Sequence, residues 1–297
     1  MGFGPTQFAT LPNGITLAWE SVGSGEPLLL IMGLGAQMLM WPDAFCHLLA
    51  ERGFRVIRFD NRDVGLSTRL DAAGPVRMPR LLAALAGRGR ASAPYRLHDM
   101  AEDATLLLDH LGIERAHVVG ASLGGMVAQQ LAIQAPGRLK TLTSIMSTTG
   151  SRRVGMPSPR ALRALLAPMA TSEEGHVRRF ISFFREVGSP RFPAEEAELE
   201  ALARATFARG LTGDGFGRQF MAVLASGNRT AGLRGLRLPA LVIHGDEDPL
   251  VTLSGGRATA AAIPGATWLC VEGMGHDLPS PMWPRFAEGI RELTQHV

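Results

Sequence analysis

The sequence predicts an α/β protein: a doubly wound, mostly parallel sheet with an inserted helical cap. Three observations predict it. Short apolar runs alternate with helical patterns from residue 27 to 146, as strands joined by crossover helices do. The alternation stops between residues 147 and 238, where only helical spacing is found, and resumes at Ala240. Residues 117–128 (HVVGASLGGMVA) read as a buried strand, a tight turn and a helix start, with Ser122 at the apex. The division that follows is a core of residues 1–146 and 239–297 with a cap, or lid, of residues 147–238.

Taken in order, residues 6–22 alternate as a hairpin does, with Pro12, Asn13 and Gly14 as the turn and Ile15, Leu17 and Trp19 on one face. Residues 27–32 are apolar without a break, as in a strand covered on both faces, and run into Gly33-Leu34-Gly35. A helix over 42–52 and a strand over 54–60 complete a parallel unit. The loop NRDVGLS (61–67) leads into an irregular section, 69–96, whose helical part is 79–86. It carries Arg69, Arg77, Arg80, Arg88, Arg90 and Arg96 against Asp71 alone. Such a basic, half-apolar section suits a membrane surface or an anionic substrate; the plainer reading is a solvated excursion that packs a short helix on the core.

Residues 97–111 keep helical spacing through Met100, Ala101, Ala104, Leu107, Leu108 and Leu111, and Gly112 ends the helix. After the strand and helix around Ser122 comes a short strand over 139–146, and then cap helices over 160–167, 174–187, 194–209 and 215–225. A strand over 240–244, a helix over 254–263, a strand over 267–271 and a helix over 284–294 close the chain. Ligands of such a sheet gather beyond the carboxyl ends of its strands.

Composition narrows the function classes. The chain has 297 residues, 46% hydrophobic and 19% charged, which is ordinary for a globular protein. A net charge of +3 is too small to track a phosphate backbone, so nucleic acid is not an expected partner. The N-terminal MGFGPTQ lacks the charged start and apolar core of a secretory signal, and the longest apolar tract, 28–41, is too short and glycine-broken to span a bilayer. The expectation is a cytoplasmic enzyme without stable membrane insertion, monomeric or homodimeric. Cys46 and Cys270 build no disulfide framework and read as well as two buried thiols. His47, His98, His110, His117, His176 and His296 have no partner at metal-ligand spacing, and His244, at a strand end, reads as a brace for the loop that follows. No metal and no cofactor is expected.

The chemistry is read from three loops. A Gly-x-Ser-x-Gly match is expected by chance about 0.2 times in a chain with 35 Gly among 297 residues, so it is the strand, turn and helix around Ser122 that carry the signal. A hydroxyl on such a bend stands clear of the backbone, and the small residues on either side, Gly120 and Gly124, permit close strand–helix approach. HGDEDP (244–249) follows one later strand and EGMGHD (272–277) the next, giving the order Ser122, acid, His276. The residue types fit nucleophilic catalysis: imidazole takes the hydroxyl proton, and a buried carboxylate fixes the imidazole tautomer.

On these residues the sequence resembles the α/β-hydrolase superfamily, and within it the serine esterase branch that includes the anthracycline (aclacinomycin-type) methylesterases. The resemblance covers nearly the whole chain. It implies that the acid is Asp248, four residues after His244, with Asp246 as the rival. It also implies an oxyanion hole made by the backbone N–H groups of Leu123 and Leu34. Most relatives have His-Gly where this chain has Met32-Gly33, which removes a side chain that often braces that loop. The implied function is a cofactor-free serine carboxylesterase hydrolysing small or medium carboxylic esters through an acyl-enzyme on Ser122. Lactonases, thioesterases, carbon–carbon hydrolases and cofactor-free perhydrolases share the same triad, and a ligand receptor with vestigial hydrolysis is a further alternative. Phe180, Phe183, Phe184, Phe207, Phe216, Phe220 and Met221 either wall an acyl pocket or form the cap's own core.

Overall fold

The computed structural model describes residues 2–86, 93–211 and 213–296. Arg88 and Arg90 of the basic section lie outside them. The N-terminal hairpin forms as the alternation requires. Strands β1 (Gln7–Thr10) and β2 (Thr16–Val22) pair antiparallel, the Leu11 and Gly14 N–H groups close the turn, and Ile15, Leu17 and Trp19 are buried. Then come β3 (Glu26–Ile31), α1 (Asp43–Ala50), β4 (Phe54–Phe59), α2 (Met78–Leu85), α3 (Leu97–His110), β5 (Ala116–Ala121), α4 (Leu123–Gln134) and β6 (Leu139–Ile145). Helices α5 (Pro159–Leu165), α6 (Glu173–Val187), α7 (Glu196–Ala208), α8 (Gly215–Ser226) and α9 (Thr230–Arg234) intervene before β7 (Ala240–Gly245), α10 (Leu253–Ala262), β8 (Thr267–Val271) and α11 (Trp283–Leu293). The short α9 escapes the sequence reading because its five residues make barely one apolar contact position, Leu233.

The sheet runs β1-β2-β4-β3-β5-β6-β7-β8, antiparallel at β1/β2 and β2/β4 and parallel elsewhere. Side chains of a strand point alternately to opposite faces, so the unbroken apolar run of β3 feeds two cores. Leu29 and Ile31 pack with residues of α3 and α4 on one face, Leu28 and Leu30 with those of α1 and α11 on the other. The chain winds from β3 outward to β4, then returns to place β5 on the other side of β3. That reversal opens a crevice between the carboxyl ends of β3 and β5, where ligands of open α/β sheets bind.

The low end of β5 holds a buried histidine. His117 is 2% exposed, its Nδ1 lies 2.9 Å from Thr141 Oγ1, and its ring meets Phe54 edge-on. Burial, aided by Lys140, pushes its pKa down to about 4. An unfolded chain protonates this imidazole near pH 6.5 while the folded chain does not. Stability present above pH 6.5 is therefore lost as the pH falls from 6.5 towards 4, by at most about 3 kcal/mol. The His117→Asn variant is expected to show a flatter fall of Tm over this window than wild type, measured by circular dichroism. Parallel curves would contradict the assignment.

Helix α2 corrects the reading of the basic section. Its apolar residues Leu81 and Ala84 pack on Phe220 and Met221 of α8, so it joins the inserted helices rather than the sheet. The chain leaves β4 at the carboxyl edge, where α8 already lies, and the amphipathic helix buries its stripe against that nearer surface. Cys46 and Cys270 are both free thiols; Cys46 is buried and Cys270 partly exposed. Among the described residues no helix is long and apolar enough to cross a membrane.

Candidate active site

Ser122 stands between β5 and α4 with φ +56° and ψ −119°, a conformation that costs a non-glycine residue roughly 1–3 kcal/mol. Its surroundings over-determine it. The Ser122 N–H donates to Ile145 O at 2.9 Å, and Ser122 O accepts from Ser147 Oγ at 2.8 Å and from Met126 N–H at 3.2 Å. The first turn of α4 is pressed against β3 so closely that a Cβ on Gly124 would lie 1.9 Å from Ile31 O. A Cβ on Gly120 would lie 2.1 Å from Gly124 O. Both glycines of the motif are therefore spatial necessities, and they push the serine side chain out into the crevice.

The loop after β8 brings His276 to it, 154 residues away in sequence, with Nε2 2.9 Å from Ser122 Oγ. His276 Nδ1 lies 2.8 Å from Asp248 Oδ2 in the loop after β7. The other carboxylate oxygen, Asp248 Oδ1, accepts the Leu250 N–H at 2.9 Å and the Val251 N–H at 2.8 Å, so Asp248 is held as an acceptor on both sides. An ionised carboxylate at Nδ1 requires the proton on Nδ1 and leaves the Nε2 lone pair facing the serine hydroxyl. Asp246 does other work: exposed, it accepts the Gly273 N–H at 2.7 Å and ties the two loops together. His244 is a fully buried neighbour whose pKa burial lowers, which keeps it neutral. Its Nε2–H donates to Val251 O at 2.7 Å, bracing the turn that carries Asp248. Among the described residues no three His, Cys, Asp or Glu side chains come together as a metal site.

The loop after β3 meets this group from the opposite side. Asn61 Nδ2 donates to Met32 O at 2.9 Å, and a Cβ on Gly33 would lie 3.2 Å from Ser122 Cβ. The backbone N–H groups of Leu34 and Leu123 donate to no protein acceptor among the described residues. Two free amides thus flank the serine, one of them at the N-terminus of α4, where the helix dipole favours negative charge.

Residues 26–279 match the family model described as alpha/beta hydrolase fold. The chain belongs to the α/β-hydrolase family. This hydrolase is 31% identical over 312 aligned positions to rhodomycin D methylesterase DauP of Streptomyces sp. (strain C5), covering 98% of each chain. It is also 31% identical to a poly(3-hydroxyalkanoate) depolymerase of Ectopseudomonas oleovorans over 81% of this chain and 74% of that one. Its fold superposes on the meta-cleavage product hydrolase of Pseudomonas fluorescens IP01 with a TM-score of 0.76, at 20% identity, covering 99% and 98% of the two chains.

Between the hydrolase core and the inserted helices lies a cavity of about 1300 Å³ with Ser122 and His276 in its wall. Its lining divides the aromatic residues of the insertion: Phe183, Phe184 and Phe220 face the cavity, whereas Phe180, Phe207, Phe216 and Met221 do not. Helical spacing cannot make that division. The segment after α6 grips the histidine loop: Val187 O accepts the His276 N–H at 2.6 Å, Ser189 Oγ accepts the Gly275 N–H at 2.9 Å, and Gly273 O accepts the Arg191 N–H at 3.2 Å. Ser189 also donates through Oγ and N–H to Asp277, whose carboxyl burial pushes up and these bonds pull back. No motif marks Ser189, Asn61 or Gln219, a loop contact of α8. Only Gln219 leaves a trace, as a lone amide between the apolar Phe216 and Phe220 of one helix.

Proposed function

We propose that this hydrolase is a serine carboxylesterase in which Ser122 Oγ attacks the ester carbonyl while His276 Nε2 takes its proton. Asp248 holds the imidazole in the required tautomer and stabilises the imidazolium. The carbonyl oxygen, negative in the tetrahedral intermediate, is received by the Leu34 and Leu123 N–H groups. Collapse breaks the bond to the alcohol, which leaves with the proton from His276. Water, deprotonated by His276, then attacks the acyl-Ser122 ester and releases the acid. The observation that carries this reading is the continuous hydrogen-bonded chain Ser122–His276–Asp248 in the wall of the cavity.

The cavity also speaks to the substrate. Its volume of about 1300 Å³ exceeds the roughly 300–1,000 Å³ of most small-molecule pockets. Met32, Leu34, Met40, Phe183, Phe184 and Phe220 give it an apolar wall. The reading is therefore an ester with a bulky apolar acyl part, larger than the small or medium esters that the sequence suggests. A small alcohol such as methanol agrees with the methylesterase name of the rhodomycin D relative. In a series of p-nitrophenyl esters from acetate to decanoate, kcat/KM is expected to rise about three- to fourfold per added methylene, from about 0.8 kcal/mol of burial each. A profile that is flat or falls beyond butyrate would contradict the bulky-acyl reading.

A further inference from the structure

The inference concerns what holds the Leu34 N–H in place, and it rests on the serine esterase reading. Here each peptide plane of the loop has a different tether. Met32 O accepts from Asn61 Nδ2 at 2.9 Å, which orients the plane between residues 32 and 33. Gly33 O accepts the Ala36 N–H at 3.3 Å, which turns the next plane and leaves its Leu34 N–H without a protein acceptor among the described residues. The Gly35 N–H of the third plane donates to Gln219 Oε1 at 2.8 Å. Gly35 has φ +66°, and a Cβ there would strike Phe216 Cδ2 at 2.8 Å, so the same helix that bonds the loop also abuts it.

Gln219 is fully buried and uses both ends of its amide, since Nε2 donates to Arg62 O at 2.8 Å. It thereby joins the loops after β3 and β4 through a side chain of α8. Its neighbours in sequence explain why that helix can act as a fixed arm. Arg218, fully buried, forks onto Asp63 through Nε at 2.9 Å and Nη2 at 2.7 Å, and reaches Asp71 at 3.0 Å and Gly74 O at 3.1 Å. Phe220 lines the cavity. One turn of helix thus carries an anchor to the core, a tether on the loop and a wall for the acyl group.

We propose that Gln219 is a positioning residue for the oxyanion hole, setting the Leu34 N–H from the helical insertion. A buried amide that only stabilised the fold would alter the amount of folded enzyme and not the turnover of each folded molecule. A group that positions an oxyanion donor alters kcat and the binding of tetrahedral adducts, and barely alters binding of the planar ester.

The test compares wild type with Gln219→Met, which keeps the volume and removes both hydrogen bonds. Active sites are counted by stoichiometric fluorophosphonate labelling, so that unfolded protein drops out of the rates. Expected are a fall in kcat of about 10- to 100-fold, a change in ester KM below about twofold, and a rise in the Ki of an alkyl trifluoromethyl ketone matching the fall in kcat. Wild-type kcat per labelled site, or an unchanged ketone Ki, overturns the role of Gln219. A wild-type enzyme that the ketone does not inhibit and the fluorophosphonate does not label overturns the serine esterase reading instead. Should Gln219→Met fail to fold, amide hydrogen exchange on the wild type decides: the Gly35 amide is expected to be protected beside an exchanging Leu34 amide, and an unprotected Gly35 overturns the proposal.

Discussion

Ser122→Ala and His276→Ala are each expected to lower kcat by about 10⁴-fold or more, and the double variant to lose little beyond either single one. A serine hydroxyl is a weak nucleophile until a base 2.9 Å away accepts its proton, and that base does nothing once the hydroxyl is gone. On the serine esterase reading the two groups perform one step, so their losses overlap. What should survive on that reading is the contribution of the proposed oxyanion donors and of substrate binding, of order 10³–10⁴ over the reaction in water. Ser122→Ala keeps the Cβ and the hydrogen bonds of the Ser122 backbone to Ile145, Met126 and Ser147, so its Tm should match wild type. Losses that multiply in the double variant would show that the residues act in separate steps. The measurement is steady-state kinetics on the best p-nitrophenyl ester, normalised to folded protein.

Asp248→Asn is expected to lower kcat by about 10³- to 10⁴-fold, while Asp246→Asn changes it by less than about threefold. The asymmetry comes from the hydrogen bonds. In Asp248→Asn the amide oxygen stays on the Leu250 and Val251 N–H groups, which turns the NH₂ towards His276 Nδ1. Nδ1 must then be the acceptor, the ring proton moves to Nε2, and the lone pair that should face Ser122 is lost. Asp246 uses one oxygen to accept the Gly273 N–H, a bond that the asparagine oxygen reproduces. The reverse ranking of the two variants, read from kcat at neutral pH, would transfer the acid role to Asp246.

These residues differ in how far the sequence reveals them, and the reason is physical. Ser122 is legible because its strained turn demands small residues at fixed offsets, and His276 because its loop follows a strand in the same sheet. Asp246 and Asp248 are both acidic, close in sequence and in one loop. Which carboxylate faces the imidazole depends on a turn held by His244 and by the amides of Leu250 and Val251. The sheet is legible nearly element by element, since β3 and β5 are apolar on both faces and α3 keeps its stripe. Helix α2 packs on α8 and not on the sheet, which periodicity does not reveal, because it states that a face is buried and not against what. Gln219 lies 184 residues from the Gly35 that it tethers, and no local pattern encodes such a pair. The same applies to the division of the phenylalanines between cavity and cap core.

The measurement that tests the central claim most directly is pre-steady-state release of p-nitrophenol from a medium-chain ester, on wild type and Ser122→Ala in parallel. A covalent acyl-enzyme on Ser122 predicts a burst equal to the labelled active sites in wild type, followed by slower turnover, wherever deacylation is the slower step. It predicts an increase in intact mass equal to the acyl group, and neither signal in Ser122→Ala. Turnover that persists in Ser122→Ala, or an acyl adduct that forms on it, would contradict the account.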